Sequence, residues 1–252
     1  MPLHLRLLFP VLTLALGTGQ GFIAPFGLLL GSLFVLLLLA GERHLPNWLW
    51  LPLILLGGIA LAAHLVPGFS PWQLWQPRLI SADAAPYGLR LSWDKLLLGT
   101  ALLAWWLGQP RQPVVSLKQA WLTCLITLVL VPLLAIALGL VAWQPKWPQG
   151  LLLWLAVNLG VAVLAEELLF RGVLQPTLVK RLGTWPGLLL TAGLFGAAHL
   201  PFSTLFAAVA ACAGLGYGLA FHYSGRISLA IALHAAVNLV HFLLLSYPLR
   251  LA

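Results

Sequence analysis

Long apolar runs without a charged residue recur along this 252-residue chain, and they constrain its fold more than any other feature. Only 7% of the residues are Asp, Glu, Lys or Arg, whereas soluble domains carry about 25%. A water-soluble fold could not bury this much apolar surface, but a bilayer accommodates it. Lone strands cannot satisfy their backbone groups in hydrocarbon. The sequence therefore predicts an all-α fold, a polytopic transmembrane helix bundle.

Nine apolar runs are candidate membrane spans, and eight is the alternative count. The first and the fourth are shorter than the roughly 20 residues that a straight crossing needs, so either could be tilted or re-entrant. The candidates cover residues 5–17, 22–40, 48–66, 95–108, 117–143, 151–179, 186–200, 204–222 and 227–247.

Basic residues stand singly between these runs and predict an orientation. With a cytoplasmic N-terminus, most of the Lys and Arg residues in short loops fall on the inner side, as the positive-inside rule requires. We therefore predict an integral protein of a bacterial inner membrane with its N-terminus in the cytoplasm. The formal net charge of +8 forms no cluster, so the expected partner is the lipid bilayer and not nucleic acid.

The segment 108–116 contains two prolines and several polar residues between two apolar runs. Such a composition is typical of a linker. We expect it to separate accessory transmembrane helices in residues 1–110 from a second helical domain in residues 111–252.

The acidic residues give the first indication of chemistry. The chain has five, and two of them, Glu166 and Glu167, are adjacent inside the apolar run 151–169. A charged side chain at the centre of a bilayer costs at least about 2.5–3.5 kcal/mol, so intramembrane acids indicate function by default. The other three fall in predicted loops: Glu42, Asp83 and Asp94.

Arg171 is the nearest cation to this pair. It follows Glu167 by four residues, so the two side chains can pair along one helix face, in a supporting or a purely structural role. Glu166 points about 100° away and has no local cation. A carboxylate in that position has the profile of a general acid or base.

Histidine and asparagine side chains on two later helices complete the candidate site. His199 ends an apolar run, and His234 lies inside the last run with Asn238 one turn later. In a chain this poor in polar residues, we expect the polar groups on these three separate late helices, the acidic pair included, to converge on one cavity. The alternatives are a helix-end histidine and hydrogen bonds between helices. For His222 and His241 we expect such structural roles.

Between these helices, residues 204–222 are rich in Ala and Gly and include the pair Gly214 and Gly218. Small residues at this spacing let membrane helices approach closely. We therefore expect a tightly packed C-terminal bundle.

Three motifs in order resemble the CAAX-protease and bacteriocin-processing family, also called CPBP or Abi. The resemblance covers about residues 117–247 and implies that residues 111–252 form an intramembrane protease domain, whereas it says nothing of residues 1–110. The motifs are Glu166-Glu167-Leu-Leu-Phe-Arg171, Phe195-Gly-Ala-Ala-His199 and His234-Ala-Ala-Val-Asn238.

The family consists of intramembrane endopeptidases, and the resemblance implies a role for each motif residue. Glu166 and His199 would hold and activate a water molecule for attack on a peptide carbonyl. His234 and Asn238 would donate hydrogen bonds to the developing oxyanion. The pair of Glu167 and Arg171 would support Glu166.

Metal dependence stays open at this point. A glutamate and two histidines can bind zinc, and here they would be Glu166, His199 and His234. However, the His-Glu-x-x-His helix motif is absent, and the candidate ligands come from three helices. We therefore favour water activation by glutamate with no cofactor, with a divalent metal such as zinc as the alternative.

The leading functional hypothesis is an endopeptidase that cleaves near the C-terminus or in a membrane-proximal segment of a membrane-associated protein or peptide. A non-catalytic immunity or scaffolding protein is the alternative, although a scaffold has no reason to keep a costly Glu166. A small-solute or proton-coupled carrier would be expected to show inverted repeats, and the sequence shows none.

Overall fold

The computed structural model describes residues 1–251, and these form a helical bundle that confirms the all-α prediction. Each of the predicted runs is matched by helical structure. The helices are α1 (Leu3–Gly19), α2 (Pro25–Leu39), α3 (Gly41–His44), α4 (Asn47–Ala62), α5 (Trp93–Trp106), α6 (Leu117–Ala137), α7 (Leu151–Val157), α8 (Leu164–Glu167), α9 (Gln175–Leu182), α10 (Thr184–Ala197), α11 (Thr204–Ser224) and α12 (Ile227–Leu244). Two π-helical segments, Asn158–Val163 and Leu168–Leu174, join α7, α8 and α9 into one helix, Leu151–Leu182.

Four helices in residues 1–251 are long and apolar enough to cross a membrane. Three shorter apolar helices are α1, α2 and α4. The protein is therefore an integral membrane protein, while the number of crossings stays a prediction. The four long helices are Leu117–Ala137, Leu151–Leu182, Thr204–Ser224 and Ile227–Leu244.

Helix α6 ends six residues earlier than the apolar run predicts. Gly139 has a φ of +71°, a left-handed conformation that ends helices and that Gly adopts without strain. The chain then continues outside a helix, and the Gln144 amide donates to the Leu244 carbonyl at 2.8 Å. Hydropathy alone could not locate this end, because residues 138–143 are as apolar as the helix itself.

The described chain divides into two compact units. The first contains residues 1–74, 90–110 and 156–169. Helix α5 lies at its centre, since Leu97, Ala101, Leu102 and Ala104 are completely buried. The strands β1 (Trp72–Gln73) and β2 (Arg90–Leu91) pair antiparallel beyond the helices of this unit.

The second unit contains residues 75–89, 111–155 and 170–252, of which 252 lies outside the described residues. Helix α11 forms its core and packs on α6, α10 and α12. Close packing depends on glycine here, because a Cβ on Gly196 of α10 would lie 2.6 Å from the Ala207 carbonyl oxygen of α11. The predicted division into accessory and protease domains at residue 110 stays a prediction, although one boundary between the units falls there.

Candidate active site

Glu166 and Glu167 lie in the four-residue segment α8, between the two π-helical segments. A π-helical segment forms hydrogen bonds between residues five apart, and such segments inside α-helices frequently occur at functional sites. Within the first unit, α8 packs against α5, where a Cβ on Gly99 would lie 3.3 Å from the Ala165 amide nitrogen. Glu167 is completely buried and Glu166 is half-buried. The backbone of the acidic pair therefore packs closely against α5.

Arg171 lies in the second unit and is completely buried. Its Nη2 donates to the Gly214 carbonyl oxygen at 2.7 Å. Its guanidinium lies 4.4 Å from the ring centre of Phe195 and 5.4 Å from that of Tyr217, which is the range of cation–π attraction. Arg171 thus joins the π-helical segment to α11, and the predicted pair with Glu167 stays a prediction.

Gln175 repeats this connection one turn later. Its Nε2 donates to the Gly218 carbonyl oxygen at 3.0 Å, and the bond is buried. Arg171 and Gln175 are four residues apart, as are their acceptors Gly214 and Gly218. The small residues of α11 therefore do more than permit close approach, since they also expose backbone carbonyls to two buried polar side chains.

His199 follows the last turn of α10. Its Nδ1 lies 2.8 Å from the Phe195 carbonyl oxygen. A carbonyl oxygen can only accept, so Nδ1 carries the proton. The neutral imidazole then has its lone pair on Nε2, which is the nitrogen that could accept a proton or a hydrogen bond from water.

His234 is almost completely buried inside α12. Its ring stacks on Tyr217 with centroids 4.5 Å apart and an interplanar angle of 16°. Phe195 contacts the same imidazole edge to face at 5.9 Å. The orientation of His234 is thus fixed by two aromatic rings from α10 and α11.

His199, His234 and Asn238 line one cavity of about 90 Å³ in the second unit. The cavity thus contains the histidine and asparagine side chains of the candidate site. His241 lines the cavity as well, and its Nε2 donates to the Ser246 carbonyl oxygen at 3.0 Å. Glu166 and Glu167 belong to the first unit, so their roles in the site stay a prediction. The remaining wall is mostly apolar: Val131, Pro132, Ala135, Val141, Phe195, Phe206, Val209, Ala210, Ala213, Tyr217, Val237, Leu245 and Leu249.

The C-terminal tail, residues 245–251, forms part of this wall, and Asp83 holds it in place. Asp83 accepts a hydrogen bond from the Ser246 hydroxyl at 2.7 Å and contacts Arg250 at 3.2 Å. Its other oxygen accepts from Gln144 at 3.1 Å. We call this set the Asp83 cluster. Because Leu245 and the segment around residue 141 line the cavity, the cluster fixes one of its sides.

Two titratable groups outside the helices lie at this tail: Lys146, which packs beside it, and Tyr247, which belongs to it. Lys146 donates to the carbonyl oxygens of Gln144 and Leu245. Burial lowers the pKa of Lys146, and the nearby charge of Asp83 partly offsets this effect. Burial raises the pKa of Tyr247 well above its ordinary value of 10, and its hydroxyl accepts from Trp154 Nε1 at 3.2 Å.

Within residues 1–251, no group of three or more His, Cys, Asp or Glu side chains is placed so that it could hold a metal ion. Metal dependence stays open, with Glu166, His199 and His234 as the residues that would hold a metal.

Two contributors to the site could not be found from the sequence pattern. Tyr217 resembles any aromatic residue in an apolar helix, although it is a lone Tyr among glycines. Asp83 was read as a solvated loop charge. Its partners lie more than 60 positions away, and no local spacing reveals such contacts.

A comparison with protein families tests the resemblance. Residues 148–240 match the family described as "Type II CAAX prenyl endopeptidase Rce1-like", and this range contains each of the six motif residues. The match supports CAAX-type intramembrane protease activity. No curated protein and no solved structure matches the chain. Residues 148–240 thus confirm the motif resemblance by matching the family of Rce1-like type II CAAX prenyl endopeptidases.

Proposed function

We propose that the protein is an intramembrane endopeptidase that hydrolyses a peptide bond near the C-terminus, or in a membrane-proximal segment, of a membrane-associated protein or peptide. The observation that carries the proposal is the cavity lined by His199, His234 and Asn238. A cavity with a few convergent polar groups in an apolar wall is the usual form of a ligand site.

In this proposal, Glu166 and His199 hold the attacking water. Glu166 takes a proton from the water while the water oxygen bonds to the peptide carbonyl carbon. The hydrogen bond from His199 Nδ1 to the Phe195 carbonyl leaves Nε2 to accept a hydrogen bond from the same water. The proton then passes from Glu166 to the leaving amine as the C–N bond breaks, which gives a free carboxyl end and a free amino end.

His234 and Asn238 would stabilise the negative charge that develops on the carbonyl oxygen. Hydrogen-bond donors contribute most when they are already oriented in a site that excludes water. The stacking of His234 between Tyr217 and Phe195 supplies that orientation. Asn238 follows His234 by one helical turn, so its amide can reach the same oxygen.

Arg171 and Glu167 have a supporting role in this proposal. Arg171 anchors the π-helical segment to α11 through the Gly214 carbonyl. Since this segment directly follows Glu166 and Glu167 in the chain, its anchoring would fix where the acidic pair is held.

The proposed membrane orientation follows from the positions of the Lys and Arg residues between the apolar runs. We place the protein in a bacterial inner membrane with a cytoplasmic N-terminus, with the bilayer and a membrane-anchored protein or peptide as its partners. Reaction without a metal is proposed, because the His-Glu-x-x-His motif is absent and the candidate ligands come from three helices, with a divalent metal such as zinc as the alternative.

A cleavage assay in liposomes tests the proposal. A library of membrane-anchored C-terminal peptides would be incubated with the native protein and with Glu166→Ala, with and without a chelator. We expect the native protein to cleave a peptide, with or without the chelator. We expect Glu166→Ala to lose this activity. If a peptide is cut equally by both proteins, Glu166 is not the base. If the native protein cleaves no peptide, the hypothesis of an immunity or scaffolding protein replaces that of a peptidase.

A further inference from the structure

A second cavity lies in the first unit, away from the motif residues. It has a volume of about 430 Å³ and takes no part in the proposed reaction. Two helices form its apolar walls. The wall residues are Leu7, Val11 and Leu14 on α1 and Val35, Leu36 and Leu39 on α2.

The slot between these helices is open along the outside of the unit. Leu36 is 61% exposed and Val11 is 51% exposed, although both line the cavity. In a membrane protein, such side chains contact lipid rather than water. An acyl chain could therefore enter the slot sideways from the bilayer.

Charged and polar groups surround the mouth of the cavity. Arg6, Arg43 and Glu42 line it together with His44, so two guanidinium groups are present for one carboxylate. Glu42 already accepts hydrogen bonds from Trp105 Nε1 at 2.9 Å and from Gln109 Nε2 at 3.1 Å. The mouth thus keeps a net positive charge for a ligand.

Arg6 has hydrogen-bonding capacity left for an acceptor. Its Nη1 donates to the Ala104 carbonyl oxygen at 3.0 Å. Its Nε is buried and has no hydrogen-bond partner among residues 1–251. A buried donor without a partner is costly, so the Arg6 guanidinium gains a hydrogen bond if it turns towards a phosphate oxygen in the cavity.

We propose that this cavity binds an anionic phospholipid, with one acyl chain between α1 and α2 and the phosphate at Arg6 and Arg43. Basic pockets between membrane helices are known to take anionic headgroups. A zwitterionic lipid fits less well, because its cationic end would meet Arg43. The proposal is independent of the peptidase activity, since it uses none of the motif residues.

Native mass spectrometry of the full-length protein, released from nanodiscs, tests the site. The discs would contain phosphatidylglycerol and phosphatidylcholine in equal amounts. We expect at least fivefold more bound phosphatidylglycerol on the native protein. Arg43→Gln should lose this preference, while Arg111→Gln, an exposed arginine outside the cavity, should keep it.

Two further measurements distinguish binding of the acyl chain from binding of the headgroup. Val11→Trp fills the slot at an exposed position and should reduce bound phosphatidylglycerol severalfold, whereas 10 mM inorganic phosphate (roughly tenfold above a millimolar site) should not displace the lipid. Equal binding of both lipids, native-like preference in Arg43→Gln, or displacement by inorganic phosphate would each overturn the proposal.

Discussion

The Nδ1 atom of His199 donates a hydrogen bond to the Phe195 carbonyl oxygen at 2.8 Å, and this bond leaves Nε2 as the ring nitrogen that can accept a hydrogen bond from water. Phe195 belongs to the same helix end and also contacts His234. One residue of α10 thus orients both histidines of the cavity. The position of both imidazole rings therefore depends on where α10 places Phe195.

His199→Gln should abolish proteolysis without unfolding the protein. The amide keeps a similar size and polarity, but it lacks the imidazole nitrogen Nε2 that accepts a hydrogen bond from the attacking water in our proposal. Without that contact the water would no longer be positioned for Glu166, and because a positioned acid–base group contributes about 10²–10⁴-fold to rate, we expect kcat to fall by at least about 100-fold. Thermal unfolding in detergent should change little. A variant that retains native kcat would show that His199 is only a helix-end residue.

Arg171→Met should destabilise the protein. The change removes a buried charge-assisted hydrogen bond to Gly214 and the contacts with Phe195 and Tyr217. A hydrogen bond to a charged group contributes about 1.5–3 kcal/mol, which corresponds to a fall in Tm of roughly 3–12 °C in a chain of this size. Differential scanning fluorimetry would measure it. The matched control is Arg181→Met, at an exposed position of α9, which should leave Tm unchanged.

Two glycines on α10 offer a controlled test of helix packing. In Gly196→Ala, the new Cβ would lie 2.6 Å from the Ala207 carbonyl oxygen, so backbone must shift. Overpacking of this kind costs about 1–3 kcal/mol. In Gly193→Ala, no atom lies within 4 Å of the new Cβ, and Ala favours a helix over Gly by about 0.5–1 kcal/mol. Melting curves should move in opposite directions, and equal shifts would refute this account of the interface.

Asp83→Asn should weaken substrate binding more than turnover. The neutral side chain loses the ion pair with Arg250 while it keeps an acceptor for Ser246. The C-terminal tail, with Leu245 and Leu249 in the cavity wall, would then be held less firmly. We expect KM to rise severalfold and kcat to fall less than twofold in steady-state assays. A pure loss of kcat would show that Asp83 acts on the chemical step instead.

Alkaline pH should destabilise the tail through Tyr247. Because the folded-state pKa of Tyr247 is raised above 10, folding favours the neutral phenol. Its contribution to stability is complete below pH 10 and is lost as the pH rises towards the folded-state pKa. Unfolding curves between about pH 8 and pH 11 should therefore show a decline that Tyr247→Phe reduces. The same decline in both proteins would assign the effect to other groups.

The sequence predicted the helices and the cavity histidines because those features depend on local patterns. Apolar runs located the spans. Polar side chains are rare inside these runs, so the few that occur there were easy to identify. The π-helical segments on either side of Glu166 and Glu167 were not predictable, because they depend on packing and not on hydropathy. The Asp83 cluster was missed for a related reason, since Ser246 is 163 positions away.

The central claim is that Glu166 activates water to cleave a peptide bond. The most direct test is cleavage of a membrane-anchored peptide in ¹⁸O-labelled water, followed by mass spectrometry of the new carboxyl end. We predict one ¹⁸O atom in the product of the native protein and at least about a 100-fold slower reaction with Glu166→Gln, in the presence of a chelator. Native-rate incorporation by Glu166→Gln would contradict the account.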